Sequence, residues 1–279
     1  MTDESPPKII IALDGSTISN NAADVAIEIA RVESRLVEGL FIVDEPLVFD
    51  PYTDYSKELG YDKRVDSRNQ LINLFKLVGL EALNRLEEKC ESKEVAVTTS
   101  ILLGSVSELI LEKADRAQFL ALGRRGNSDA NNIDHLGENF RQIAHHARVP
   151  LIVGGDLVKP IKQIFLLYDG SEESTRAFKL ARDLRKSLSA KLNIGLTRFE
   201  ALEKDLEVID TQFLDEVPDI NDIEHLENQS ISGVIDSIKN SQADMVIVGG
   251  YRRSKFIAWL IGSPIDQIMR QISLPILMA

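Results

Sequence analysis

The chain has one cysteine, Cys90, in 279 residues, so no intrachain disulfide can brace it and nothing in its thiol content points to an oxidising compartment. Aromatic residues make up only 6% of the sequence, so aliphatic side chains must fill the interior that an apolar share of 44% implies. No apolar run approaches the ~20 residues of a membrane-spanning helix. The opening residues, MTDESPPK, lack the charged-then-apolar pattern of a secretion signal. The expectation is a soluble, cytoplasmic protein. Positive charge is short as well: a net charge of −12 argues against general binding to nucleic-acid phosphates. Neither the G-x-x-x-x-G-K-(S/T) phosphate loop nor the G-x-S-x-G nucleophile elbow occurs. His145 and His146 are neighbours in sequence and face different ways on a helix, and no other His, Cys or acid cluster has ligand spacing, so no metal site is expected. Cys90 falls late in an amphipathic helical pattern with no catalytic histidine pattern nearby, which speaks against a nucleophile.

What the chain does have is one short phrase written twice. Residues 9–16 read IIIALDGS and residues 164–171 read IFLLYDGS. Each is a continuous apolar run bounded by turn residues, the pattern of a strand buried on both faces in a parallel sheet. Each ends in Asp-Gly-Ser, in which Gly tolerates unusual dihedrals and Ser can cap the helical pattern that follows. In the first half the periodicity predicts further strands over 36–43, 95–103, 119–122 and 150–153, with helices between them and a long one through Leu71, Phe75, Val78, Ala82 and Leu86. In the second half it predicts strands over 163–168, 191–199, 245–248 and 275–278. Strands alternating with helices mean a parallel, doubly wound sheet. The polar stretch 154–162 reads as a linker, giving domains over 1–156 and 157–279.

Asp14 to Asp169 spans 155 residues and Gly39 to Gly195 spans 156, but Gly123 to Gly249 spans only 126. About thirty residues are therefore missing between strands two and four of the second copy, and residues 200–227 stand where its long helix should be. That stretch holds eleven acids and one base, Lys204. It reads either as a solvated replacement or as a docking surface for a basic protein partner.

With the two Asp-Gly-Ser turns and a G-x-x-G after the fourth strand, the chain resembles a tandem universal stress protein, and the resemblance covers nearly its whole length twice. It implies two five-stranded, adenine nucleotide alpha hydrolase-like domains, the second shortened. It also implies an Asp facing adenine after strand one and a G-x-x-G-x9-G-(S/T) loop after strand four. Such a loop lets the backbone approach phosphates and presents them to a helix N-terminus, in the crevice at the point where strand order reverses. Members with the full loop bind ATP; others do not.

Both loops are broken. The first copy matches at Asp14, Gly123, Gly126 and Gly137, but ten residues separate Gly126 from Gly137 and Glu138 replaces the Ser or Thr. A carboxylate there satisfies the helix dipole itself and repels phosphate; Asn139 remains as a donor. The second copy matches at Asp169, Gly249, Gly262 and Ser263 with the nine-residue spacing, but Arg252 replaces a glycine, either blocking the phosphate path or neutralising an anion. Arg198 also replaces an apolar residue expected near the base. The alternative for Asp14 and Asp169 is that they are plain turn formers, and Tyr251 and Trp259 read as packing residues more readily than as base-stacking ones. The expectation is a stress-response protein with degenerate adenine-nucleotide pockets and no enzyme activity. The alternatives are an ATP-binding switch, with Mg2+ carried by the phosphates, and a structural interaction module. Family domains pair through their last strands, so 151–153 and 276–278 are expected to pair within the chain, and a homodimer of the whole is expected.

Overall fold

The protein is described here from a computed structural model, over residues 7–44, 63–126, 136–197, 220–226, 230–249 and 264–279. The first copy runs β1 (Lys8–Leu13), α1 (Thr17–Val32), β2 (Leu36–Asp44), α2 (Lys63–Ser92), β3 (Val97–Gly104), α3 (Val106–Ala114), β4 (Phe119–Gly123), α4 (Glu138–His146) and β5 (Leu151–Gly154). The second runs β6 (Gln163–Tyr168), α5 (Glu172–Leu188), β7 (Lys191–Leu196), β8 (Ile220–His225), α6 (Ile231–Asn240), β9 (Met245–Val248), α7 (Pro264–Gln271) and β10 (Ile276–Met278).

The ten strands among the described residues form one sheet, in the order β3-β2-β1-β4-β5-β10-β9-β6-β7-β8. Within each copy every pairing is parallel, as the unbroken apolar runs require. The copies meet where β5 and β10 run antiparallel, with Leu277 opposite Ile152. One face of the sheet is covered by α1, α2 and α5, the other by α3, α4, α6 and α7, and each apolar cluster contains residues of both copies. The interior is therefore continuous across the junction.

The duplication is visible at the level of register. Lys8 pairs with Leu36 and Gln163 with Lys191, an offset of 155 on both strands. Gly195 therefore corresponds to Leu40, and the 156-residue match between Gly39 and Gly195 is not an equivalence. A Cβ on Gly39 would meet Leu86 and Leu83 beneath α2, whereas one on Gly195 would meet Phe165 and Leu226 on the opposite face. A slip of one residue in a strand always exchanges the faces.

The acidic stretch also needs correcting. Its end, Ile220–His225, is a strand and not a substitute for a helix; it pairs in parallel with β7 through an irregular step at Leu192 and Asn193. The missing residues lie ahead of it: 45–96 separate β2 from β3, but only 197–219 separate β7 from β8. The remaining acidic residues, 200–219 and 227, lie outside the described residues.

Candidate functional site

The candidate crevices sit where strand order reverses, at the carboxyl ends of β1 and β4 and of β6 and β9. Asp14 leaves β1 and its Oδ1 accepts from the Ser16 amide at 2.9 Å. Ser16 Oγ accepts from the Ser19 amide at 3.1 Å and caps α1. In the second copy Asp169 Oδ1 accepts from the Ser171 amide at 3.0 Å and from its hydroxyl at 2.6 Å, and Ser171 Oγ caps α5 through Ser174 at 3.0 Å. Gly15 and Gly170 take φ of 80° and 83°, a region that disfavours side chains. Both aspartates thus act as turn formers. Asp169→Ala is expected to lower stability by about 1 kcal/mol, the usual cost of losing a cap-type bond. Asp14→Ala, which breaks a bond of the same kind to the Ser16 amide, is expected to cost a similar amount; denaturant titration of the two variants checks both.

Gly123 and Gly249 end β4 and β9 in matching surroundings. A Cβ on Gly123 would lie 3.1 Å from the Ser19 amide nitrogen, and one on Gly249 2.9 Å from that of Ser174. These glycines let the strand ends approach the first turn of the helix that follows the Asp-Gly-Ser turn. That packing gives a reason for glycine at both positions that involves no ligand.

The two residues between Gly123 and Gly126 carry the largest polar feature of the region. Arg124 and Arg125 are 1% and 5% exposed, among the most buried charged residues described. Arg124 reaches across the junction. Its Nη1 donates to the carbonyls of Met269 and, at 2.7 Å, Ile272, at the end of α7, where the helix dipole favours a cation. Its Nη2 meets Asp156 Oδ2 at 2.5 Å, and Arg125 Nη2 meets Asp156 Oδ1 at 2.8 Å. Burial pulls the Arg124 pKa below its ordinary value, and the Asp156 carboxylate opposes that pull. Asp156 follows the linker glycines, and Gly155 accepts from Asn21 Nδ2 at 2.8 Å.

The other loop residues are also engaged. The Gly137 amide donates to the Arg124 carbonyl at 3.0 Å, closing the base of the loop. Glu138 is exposed, and its Oε1 accepts from Gln142 Nε2 at 3.3 Å, one turn along α4. It stands in the first turn of α4, where the helix dipole favours a carboxylate. Gly126 is half-buried beside Arg125. In the described part of this loop the Gly137 amide donates to the Arg124 carbonyl and both guanidiniums meet Asp156. Arg198, Tyr251, Arg252, Trp259, Gly262 and Ser263 lie outside the described residues. His146 Nδ1 lies 2.8 Å from the Gln142 carbonyl, and burial lowers the His145 pKa. Among the described residues no group of His, Cys, Asp and Glu is arranged to hold a metal ion, and no helix is long and apolar enough to cross a membrane.

Two doubly wound α/β units, each with its Asp-Gly-Ser turn at the strand-order reversal and fused edge to edge, define a tandem α/β protein. Residues 7–153 match the universal stress protein family, and the chain belongs to that family. It is similar to a universal stress protein of Synechocystis sp., 22% identical over 287 residues that cover 96% of this chain and 98% of that protein. A universal stress protein of Methanocaldococcus jannaschii is 28% identical over 158 residues, 56% of this chain and 84% of the relative. Among solved structures, a universal stress protein from Archaeoglobus fulgidus superposes with a TM-score of 0.72 at 18% identity, covering 98% of this chain and 95% of that one. The family supports a role in stress response.

Proposed function

We propose that this chain is a non-catalytic, cytoplasmic stress-response protein whose first pocket has been converted from an anion cradle into a clamp between its two copies. The observation that supports this reading is the commitment of Arg124 and Arg125 to Asp156, together with the bond from Gly137 to Arg124. A phosphate entering this loop would have to break the junction that holds the molecule together. The first copy therefore takes no adenine nucleotide, and stress response runs through the surfaces of the paired domains.

A second reading concerns the second copy only. Gly262-Ser263 keeps the family spacing after Arg252, which favours an ATP or other adenine-nucleotide site there, with Mg2+ accompanying the phosphates. Titration calorimetry of the full chain with ATP and AMP separates the two. Silence is expected for the native chain, and also for Arg252→Gly if both cradles are spent. Binding that appears or tightens in Arg252→Gly and disappears on adding Ser263→Ala would move the function to a nucleotide switch. Binding by the native chain that survives Ser263→Ala but falls with Gly137→Ala would refute the clamp.

A further inference from the structure

The outward side of α2 carries the largest uncovered apolar stripe among the described residues. Leu71, Leu74, Leu77, Val78 and Leu80 are 36% to 63% exposed. The opposite side of the helix is packed: Ala82, Leu83, Leu86 and Cys90 are buried, and a Cβ on Gly79 would enter the Phe41 ring. Leu71, Leu74 and Val78 recur at helical spacing, as do Leu77 and Leu80, the pattern of a helix that packs on both sides. Soluble chains rarely leave such a patch bare.

The charges beside the stripe say what covers it. Residues 63–70 carry Lys63, Arg64 and Arg68 against Asp66, a net of +2. Residues 81–91 carry Glu81, Glu87, Glu88 and Glu91 against Arg85 and Lys89, a net of −2, while residues 71–80 hold only Lys76. Lys89 is turned away to Asp24 of α1 at 2.6 Å, and Lys93 just beyond the helix to Glu28 at 3.2 Å. The N-terminal stretch of α2 is thus net basic and its C-terminal third net acidic, with Glu87 accepting from Thr99 Oγ1 at 2.6 Å and Glu81 paired to Arg85. An identical helix running antiparallel sets each basic stretch beside the partner's acidic one.

We infer that the outward face of α2 binds the same face of a second copy of this chain, the two helices antiparallel about a two-fold axis at Leu77 and Val78. The leucines meet at the centre, and each basic end lies over the partner's acidic end. Such an interface is isologous and closed, so it yields a dimer and no filament. The β5 edge is not open to a second copy, because β4 and β10 occupy both its sides. At the far edge, the β8 sequence INDIEH carries two acids, Asp222 and Glu224, and like charges disfavour pairing with a copy of the same strand.

Sedimentation velocity of the full chain over a concentration series tests this. The native chain should dimerise, and Leu77→Glu, at a position already exposed, should weaken association at least tenfold while leaving the circular dichroism spectrum unchanged. Mild oxidation gives the geometry. Leu77→Cys should form a covalent dimer, whereas Asn84→Cys should not, since residue 84 and its copy would lie roughly 20 Å apart along the helices. Cys90 stays silent in this assay, being buried with its thiol pKa pushed up to about 11. A chain that remains monomeric at every concentration, a dimer indifferent to Leu77→Glu, or cross-linking of Asn84→Cys as ready as that of Leu77→Cys would each overturn the inference.

Discussion

Asp156→Ala is expected to split the thermal unfolding of this chain into two transitions and to cost about 3 kcal/mol. The substitution removes a carboxylate that faces both Arg124 and Arg125. Two guanidiniums 1% and 5% exposed are left in a space that penalises charge. Breaking a buried pair commonly costs 3–5 kcal/mol, and the lower end applies because the Asp156 side chain is itself 39% exposed. Part of the loss falls on the junction specifically, since Arg124 also holds the carbonyls at the end of α7 in the other copy. Differential scanning calorimetry should show the two copies melting apart. One transition at an unchanged midpoint would mean the arginines find other anions and the clamp is incidental.

Gly154→Ala is expected to be worse tolerated than any other single methyl addition to the first copy's strands. A Cβ at this position would lie 2.0 Å from the Ile18 carbonyl oxygen and 3.0 Å from the Ala22 amide nitrogen, both backbone atoms of α1. Backbone cannot rotate away, so α1 would have to lift off β5 and strain its Ser16 cap. The cost should reach about 3 kcal/mol or more, at or beyond the upper range for overpacking. Gly39→Ala is the control. Its Cβ would meet Leu86 Cδ2 at 2.4 Å, the mobile end of a side chain, and should cost less than half as much. Guanidinium titration of the two variants decides the point: equal losses would mean that α1 is not fixed against β5 as described.

The strands were legible in the sequence wherever they are buried on both faces. Residues 9–13 and 164–167 need no alternation because helices cover both sides of them. The strand that escaped, β8, reads INDIEH. It lies at the edge of the sheet, where acids guard an open side and the apolar signal is thin. The glycines were visible, but their purpose was not. Gly123 and Gly249 match a phosphate loop by spacing, and spacing alone cannot separate closeness to a ligand from closeness to a helix. Arg124 and Arg125 passed as filler between two glycines. Their partners lie 31 and 32 residues away at Asp156 and 145 to 148 away at Met269 and Ile272. No local pattern links such positions. An adjacent pair of arginines beside an apolar strand, with a lone aspartate in the linker, is the only trace they leave.

The clamp has a partner missing by design. The residue that follows Gly123 is Arg124, and the one that follows Gly249 is Gly250. Two identical subunits meeting across the same strands would have to supply this arginine from both sides, crowding two cations at the symmetry axis. Joining the copies in one gene lifts that obligation. Each half can then specialise, one supplying the arginine that crosses the junction and the other released from that task to change on its own.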